Sequence, residues 1–160
     1  MYLQWFHQNQ KIVDLTYFSH VRDTTLFIYL SHIYVHPKHR SKGYGTLSIL
    51  FILWERWKWT EQTSVDTITI RVTDLSDRFQ HSSHNLYQTF GFSPIEENSN
   101  QLEWSSPLSQ FPLIFQQKIQ QWKYPLPSLQ HWYIKWILID QPIVPISLST
   151  FLYNLFHCVK

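Results

Sequence analysis

The sequence predicts an α/β fold, a mixed central sheet with flanking helices. Three segments within the first 35 residues are rich in branched and aromatic residues and are separated by short polar turns, which indicates an antiparallel meander. An apolar stretch over residues 46–59 has helical spacing, and an alternating segment over residues 67–72 follows it. A strand, a crossover helix and a second strand favour right-handed parallel pairing. One sheet should therefore contain both kinds of pair.

The three strands of the meander are predicted from alternation. Val13, Leu15 and Tyr17 alternate with polar residues, the period of two expected of a strand with one buried face. Branched and aromatic residues dominate the third segment, which indicates a central strand. The predicted strands are residues 2–6, 11–18 and 26–35.

The long helix over residues 46–59 places Leu50, Phe51 and Trp54 on one face. Its other apolar residues widen that face nearly all round, so we expect it to be covered on more than one side. Further on, Gly91 stands where the left-handed cap of a short helix is expected. The remaining elements of this part are a strand at 67–72, a helix at 83–90 and a closing hairpin from 93–97 and 101–104.

Length and composition fit one globular domain. The 160 residues, 44% of them hydrophobic, can bury a real core. A net charge of +2 is too small to indicate nucleic acid or an anionic membrane, so we expect neither as a partner. Cys158 is the single cysteine and no signal peptide opens the chain, which predicts a cytoplasmic protein. Charged residues and prolines interrupt the apolar residues 132–159, which argues against a membrane span.

The stretch over residues 33–46 has the composition of a phosphate-binding loop. An extended apolar run stops at a proline, and then Arg40, Lys42, Gly43 and Gly45 lead into the long helix. Glycines let backbone N–H groups converge and remove side chains that would block a phosphate. The helix start adds unpaired N–H groups and the positive end of its dipole. Together these features predict a site for a diphosphate.

Two motifs resemble those of the GNAT N-acetyltransferase superfamily. The first is Arg-x-x-Gly-x-Gly at residues 40–45, after a strand that ends in Val-x-Pro at residues 35–37. The second is Leu-Tyr-x-x-x-Gly-Phe at residues 86–92, similar to the usual end of the family's last helix. The resemblance covers about residues 1–104. It implies a GNAT-like sheet and acetyl-CoA as the cofactor.

The resemblance also implies where acetyl-CoA would lie. Backbone N–H groups of the loop would hold the diphosphate, and the end of the third strand would pair with the amide-rich pantetheine arm. Asn85 would add a polar contact, although the family's common asparagine corresponds to Gln80 here. The residues assigned to the cofactor are Ile33, Tyr34, Val35, Arg40, Ser41, Lys42, Gly43, Tyr44, Gly45, Thr46 and Asn85.

Tyr87 matches the family's usual proton donor to the leaving thiolate. A phenol with a pKa near 10 is protonated at neutral pH and can donate to a thiolate of pKa about 8.5. The alternative is that Tyr87 only packs within the short helix.

The proton acceptor is less well defined by the sequence. Many family members have a glutamate in the strand after the long helix, but that position is Arg71, which cannot act as a base. We predict His32 as the base, with a hydrogen-bonded strand histidine as the alternative. One bulged residue would exchange the two faces of this strand. The other candidates are His84, Asp74 and Asp77 as bases, and Ser31 or Tyr29 as holders of a water.

Residues 1–104 are predicted to form the acetyl-CoA-binding core, and residues 105–160 a mainly helical C-terminal extension. The family's usual N-terminal strand and helices are expected to be lacking, because the chain opens almost at the meander. We expect the extension either to complete the acceptor site or to pack elsewhere, for example in a homodimer. Within it, helices are predicted at 111–122 and 147–158, and residues 131–139 fit a strand or a helix equally.

The function predicted is that of an acetyl-CoA-dependent N-acetyltransferase acting by direct attack of a primary amine, on a small molecule or a protein. One alternative is a catalytically altered GNAT-like domain that serves as a CoA-binding or regulatory module, which Arg71 favours. The other is a transferase for a bulkier acyl-CoA. We expect no metal, because the pairs His36/His39 and His81/His84 lack further ligands at fixed spacing.

Overall fold

The computed structural model describes residues 1–74, 86–123, 132–137, 144–147 and 153. The strands in these ranges are β1 (Tyr2–His7), β2 (Gln10–Arg22), β3 (Thr25–Val35), β4 (Thr67–Thr73), β5 (Ser93–Pro94), β6 (Gln101–Pro107), β7 (Trp132–Ile137) and β8 (Val144–Ser147). The helices are α1 (Tyr44–Thr60), α2 (Leu86–Phe90) and α3 (Phe111–Gln120). The strands form one mixed sheet in the order β5-β6-β4-β3-β2-β1-β7-β8. The predicted α/β fold class is confirmed.

The meander is present as predicted. β1 pairs antiparallel with β2, and β2 pairs antiparallel with β3. Asn9 and Asp23 adopt positive φ in the two connecting turns, a conformation that asparagine and aspartate tolerate. The alternating residues Val13, Leu15 and Tyr17 are buried, which places them on the core face of the sheet.

The crossover from β3 through α1 to β4 is also as predicted, because β3 and β4 pair in parallel. All of residues 47–54 of α1 are buried. This explains the apolar surface all round the helix, which is covered on more than one side.

The three helices lie on the same face of the sheet, and a chain of aromatic contacts joins them. Trp104 of β6 packs against Phe90 of α2 and against Phe111 of α3. Phe111 and Phe115 of α3 also contact Trp57 of α1. These rings close the core at the β4–β6 side of the sheet.

The C-terminal extension adds strands to the sheet where we expected mainly helix. α3 matches the helix predicted at 111–122, whereas β7 pairs antiparallel with β1 and β8 pairs with β7. β6 also runs past the predicted boundary at residue 104, to Pro107. Most of the helix predicted at 147–158 lies outside the described residues. The described part of the extension is therefore mixed and contains the end of β6, the helix α3 and the strands β7 and β8.

Within the described ranges, no helix is long and apolar enough to cross a membrane.

Candidate active site

A β-bulge in β3 opens the sheet. Thr16 of β2 is paired with His32, and Tyr17 is paired with Leu30, so Ser31 is an extra residue on β3. The Ser31 hydroxyl donates to the carbonyl oxygen of Thr16 at 3.2 Å. A bulge of this kind bends the strand and increases its local twist.

Beyond the bulge, β3 separates from its parallel neighbour. The pairing of β3 with β4 ends at Leu30 and Val72, whereas β3 continues to Val35 and remains paired with β2. β4 in turn continues to Thr73, paired with β6. Among the described residues, no strand pairs with residues 31–35 on the side of β4. The result is a slot edged by the peptide groups of an extended strand, which can pair with an amide-bearing ligand.

The bulge decides which side chains of β3 reach the face of the sheet opposite to α1, α2 and α3, which we call the open face. Ile33 is paired with buried Leu15 and therefore points to the core face. His32 and Tyr34 lie on the opposite face together with Tyr29, and His32 is exposed. His32 stacks on Tyr34, with ring centroids 6.4 Å apart. Regular alternation predicts Tyr29 on the opposite face of the strand from His32, and this is wrong, because the extra residue Ser31 places both on the open face.

The loop after β3 leads to a helix start that lacks a side-chain cap. A 3₁₀ turn at Pro37–His39 follows the strand, and Ser41 and Gly43 adopt positive φ of 57° and 81°. Gly43 is the N-cap of α1 and makes no side-chain hydrogen bond. The first amides of a helix have no partner within it and carry the positive end of the dipole. This is the geometry of an anion site.

The second glycine of the loop lets α2 approach α1. A Cβ built on Gly45 would lie 2.8 Å from Cδ2 of Leu86, the first residue of α2. Tyr87 therefore follows directly on a residue that touches the loop. Tyr44 between the glycines is buried, and its ring contacts Trp5. Its side chain is part of the core, so only its backbone can serve the loop.

Arg40 is turned back toward the strand. Its Nε donates to the carbonyl oxygen of Val35 at 3.0 Å, and its guanidinium lies 5.9 Å from the ring centroid of Tyr34. The side chain thus joins the last residue of β3 to the loop. Lys42 is exposed on the same loop. The two predicted cations therefore have different surroundings. Arg40 is hydrogen-bonded to the end of β3, whereas Lys42 faces solvent.

His39 lies among other basic groups of the loop. Its ring packs against His36 at 5.9 Å and against Tyr44 at 6.0 Å between centroids. Burial lowers the pKa of His39, and the charges of Lys42, His36, His7 and Lys38 lower it further. Mutual repulsion among these groups indicates a positive potential that an anion would relieve.

Tyr87 interacts electrostatically with a buried carboxylate, that of Asp74. Burial, and after it the charge of Asp74, raise the pKa of the Tyr87 phenol to about 12. Asp74 is 4% exposed and follows directly on β4, and its N–H donates to the carbonyl of Asn100 at 2.8 Å. The phenol packs edge-on against Phe92. Tyr87 is therefore protonated throughout the physiological range.

Arg71, at the position of the family's glutamate, belongs to a structural ion pair. Its Nε donates to Oε2 of Glu103 at 2.7 Å, and its guanidinium lies 4.9 Å from the ring centroid of Phe27. The hydrogen bond to Glu103 raises the pKa of Arg71. Arg71 cannot accept a proton, and Glu103 is held in an ion pair.

The remaining predicted residues are placed as follows. Ser31 is the bulged residue, and Thr46 lies in the first turn of α1. Asn85, His84, Asp77, Gln80 and His81 lie outside the described residues. In the part of the chain that the structure describes, no three side chains of histidine, cysteine, aspartate or glutamate cluster in a way that could hold a metal ion.

The structure is that of an α/β domain in which a parallel strand pair opens beside a glycine-bearing helix start, and this arrangement could accept a ligand with a diphosphate and an extended amide arm. A family model described as acetyltransferase (GNAT) domain matches residues 4–94, more than half of the chain. The chain therefore belongs to the GNAT acetyltransferase family. This confirms the family predicted from the two motifs and its donor, since members of an acetyltransferase family take the acetyl group from acetyl-CoA.

Several solved structures are similar to part of this chain, at low identity and with TM-scores below 0.5. A KacTA–DNA complex is 16% identical over 68% of this chain and 65% of that chain, with a TM-score of 0.47. An AtaT–AtaR complex bound to DNA is 18% identical over 65% of this chain and 64% of that chain, with a TM-score of 0.48. AtaT complexed with acetyl-methionyl-tRNAfMet is 14% identical over 68% and 69%, also with a TM-score of 0.48. The chain spans less than two thirds of the first two. A search of curated proteins finds no match.

The expectation that excluded nucleic acid is wrong. The similar structures are complexes that contain DNA or a tRNA. The expectation rested on the net charge of +2, which is a sum over the whole chain. Such a sum hides local concentrations of charge, as the basic groups around His39 illustrate.

Proposed function

We propose that this protein transfers an acetyl group from acetyl-CoA to a primary amine by direct attack. The observation that carries the proposal is the slot formed where β3 leaves β4 after the Ser31 bulge, beside the start of α1 at Gly43. The slot offers an amide arm the edge of β3 that no described strand pairs with, and the helix start offers amides to a diphosphate. Membership of the GNAT family supports the same donor.

Acetyl-CoA would be held mainly by backbone groups. The segment Ile33–Val35 would lie along the pantetheine arm, in the place that β4 occupies earlier along β3, and the peptide groups of Ile33 and Val35, which point away from β2, would pair with it. The amides from Ser41 through Thr46 would surround the diphosphate. Lys42, exposed on this loop, supplies a mobile cation to the phosphates. Arg40 would act indirectly, by fixing the last carbonyl of the strand relative to the loop.

The transfer needs two proton movements. The neutral amine attacks the thioester carbonyl, the new C–N bond forms, and the C–S bond breaks as the tetrahedral intermediate collapses. The amine nitrogen loses a proton, and the CoA sulfur must gain one. We assign the protonation of the CoA sulfur to Tyr87. Its phenol is neutral, and Tyr87 directly follows Leu86, which lies against Gly45.

We assign the first proton to His32. It lies one residue beyond the bulge and is exposed on the open face of the sheet, where an amine can reach the slot from solvent. A histidine is the side chain best suited to accept a proton near neutral pH. Asp74, the other described candidate, is buried and interacts with the donor, so it acts on Tyr87 instead.

A second candidate function is a CoA-binding module without transfer, which the ion pair of Arg71 with Glu103 favours. The cation Arg71 occupies the position of the family's glutamate, and the carboxylate of Glu103 neutralises its charge. Binding and turnover must therefore be measured separately.

The experiment combines calorimetric titration with CoA and a thiol-release assay with acetyl-CoA and a panel of amines. The enzyme hypothesis predicts micromolar to submillimolar CoA binding and amine-dependent thiol release that His32→Gln lowers by about 10²-fold. CoA binding without thiol release for any amine supports the binding module instead. If longer acyl-CoA esters turn over faster than acetyl-CoA, the donor is a bulkier acyl group. Absence of CoA binding contradicts all three.

A further inference from the structure

A cation of α3 is bound to the end of the helix that carries Tyr87. The Lys118 ammonium donates to the carbonyl oxygen of Phe90, the last residue of α2, at 2.6 Å. The same ammonium lies 4.5 Å from the ring centroid of Phe90. Lys118 is only partly exposed, and burial lowers the pKa of its amine. A cation at this place satisfies a terminal carbonyl and opposes the negative end of the helix dipole.

Contacts from outside the helix hold the described part of α2, Leu86–Phe90. Leu86, the first described residue, fits against Gly45. At its end, the amides of Gly91 and Phe92 both donate to the carbonyl of Tyr87, at 3.1 and 2.9 Å. The carbonyl of Phe90 is bound from outside the helix, by Lys118.

We propose that Lys118 is a positioning residue for Tyr87, which fixes the C-terminal end of α2 so that the phenol stays at the slot. The inference rests on the donor role proposed for Tyr87. Lys118 lies beyond residues 4–94, the part matched by the family model. The extension would thus contribute to the reaction through the placement of a proton donor, in addition to its strands. Its effect should be large, since a displacement of about 1 Å can cost a reaction roughly 10²-fold.

The test removes the ammonium and keeps the aliphatic stem. Lys118→Met should lower kcat roughly tenfold or more, with the KM for acetyl-CoA and the Kd for CoA unchanged, because Lys118 lies on α3, outside the strand and loop assigned to the cofactor. Lys118→Arg, which can still donate to the Phe90 carbonyl, should recover most of the rate. Lys123→Met is the matched control, since Lys123 is exposed just after α3 and should tolerate the same change.

A double mutant separates positioning from general stability. In a Tyr87→Phe background the donor is gone, so Lys118→Met should cause no further loss of kcat. An equal loss in both backgrounds overturns the inference and leaves the proposed function intact. So does an unchanged kcat in Lys118→Met when Tyr87→Phe is impaired. If Tyr87→Phe retains full kcat, the donor role itself fails and the inference with it. Urea unfolding of each variant at the assay temperature verifies that the rates refer to folded protein.

Discussion

The buried carboxylate of Asp74 acts on the phenol of Tyr87. Burial of the phenol has the larger effect, and together the two raise the pKa of Tyr87 to about 12. The high pKa keeps the proton on the phenol at every physiological pH. It also makes Tyr87 a weaker acid than a tyrosine in water, which has a pKa near 10.

We predict that Asp74→Asn lowers the pKa of Tyr87, because the amide keeps the shape of the side chain and removes its charge. Part of the increase should remain, since burial is the larger cause. NMR of the tyrosine Cζ carbons against pH measures this directly, with Tyr87→Phe used to assign the signal. A Tyr87 titration that does not move in Asp74→Asn would show that the carboxylate has no influence. Glu103→Gln, a carboxylate in an ion pair with Arg71, is the control that should leave Tyr87 unchanged.

The bulge at Ser31 leads to a prediction about the slot. Deletion of Ser31 would restore a regular pairing of β2 with β3 and leave each later side chain on its present face, because the extra residue is removed. β3 could then continue its pairing with β4. We expect CoA binding to fall below detection in calorimetry, whereas the free energy of unfolding in urea stays equal or increases.

The control for this deletion is Ser31→Ala. It removes only an exposed hydroxyl bond to Thr16 and keeps the bulge, so CoA should bind with nearly unchanged affinity. Tight CoA binding by the deletion variant would mean that the bulge does not create the site.

The slot shows which features of the site can be predicted from a sequence and which cannot. The meander, α1 and β4 follow from alternation and helical spacing, which are local patterns, and they were predicted to within a few residues. The location of the loop follows from Gly43 and Gly45. The bulge could not be predicted, because register depends on a partner strand. The face on which His32 lies could not be predicted either, because it depends on Ser31 being the extra residue of the bulge.

Contacts between residues that are far apart in the sequence could not be predicted either. The sequence of residues 131–139 fits a strand or a helix equally well. Within this range, Trp132–Ile137 form the strand β7 because they pair with β1, which is distant in the sequence. Arg40 is a residue type that commonly binds phosphate, but its Nε donates to the Val35 carbonyl oxygen instead. Lys118 was missed altogether, because one lysine on an amphipathic helix gives no signal that it will reach Phe90.

We expect His39 to make the stability of the protein depend on pH. Its pKa in the folded protein is below the ordinary 6.5, first through burial and then through Lys42, His36, His7 and Lys38. Below about pH 6.5 the unfolded chain therefore binds more protons at this site than the folded one, so stability falls as the pH falls. CoA should oppose this, since its phosphates favour the protonated ring. We predict that the increase in Tm caused by CoA grows between pH 7.5 and 5.5.

Thermal unfolding with and without CoA across this range checks the prediction, and His39→Gln should flatten the pH dependence. The comparison with this variant also removes the titration of the CoA phosphates, which is common to both proteins. A wild-type CoA effect with the same pH dependence as that of His39→Gln would contradict the assignment.

Gly43 and Ser41 form a matched pair for testing the loop backbone. Both adopt positive φ, 81° at Gly43 and 57° at Ser41, but only Gly43 is the N-cap of α1. We predict that Gly43→Ala destabilises the protein by about 1–2 kcal/mol, the cost of a left-handed alanine, and weakens CoA binding as the cap relaxes. Ser41→Gly should leave CoA affinity within about twofold, since glycine accepts the same conformation without strain. Urea unfolding and calorimetry give the two quantities. If Gly43→Ala lowers stability and leaves CoA affinity intact, the helix start holds the fold and not the diphosphate.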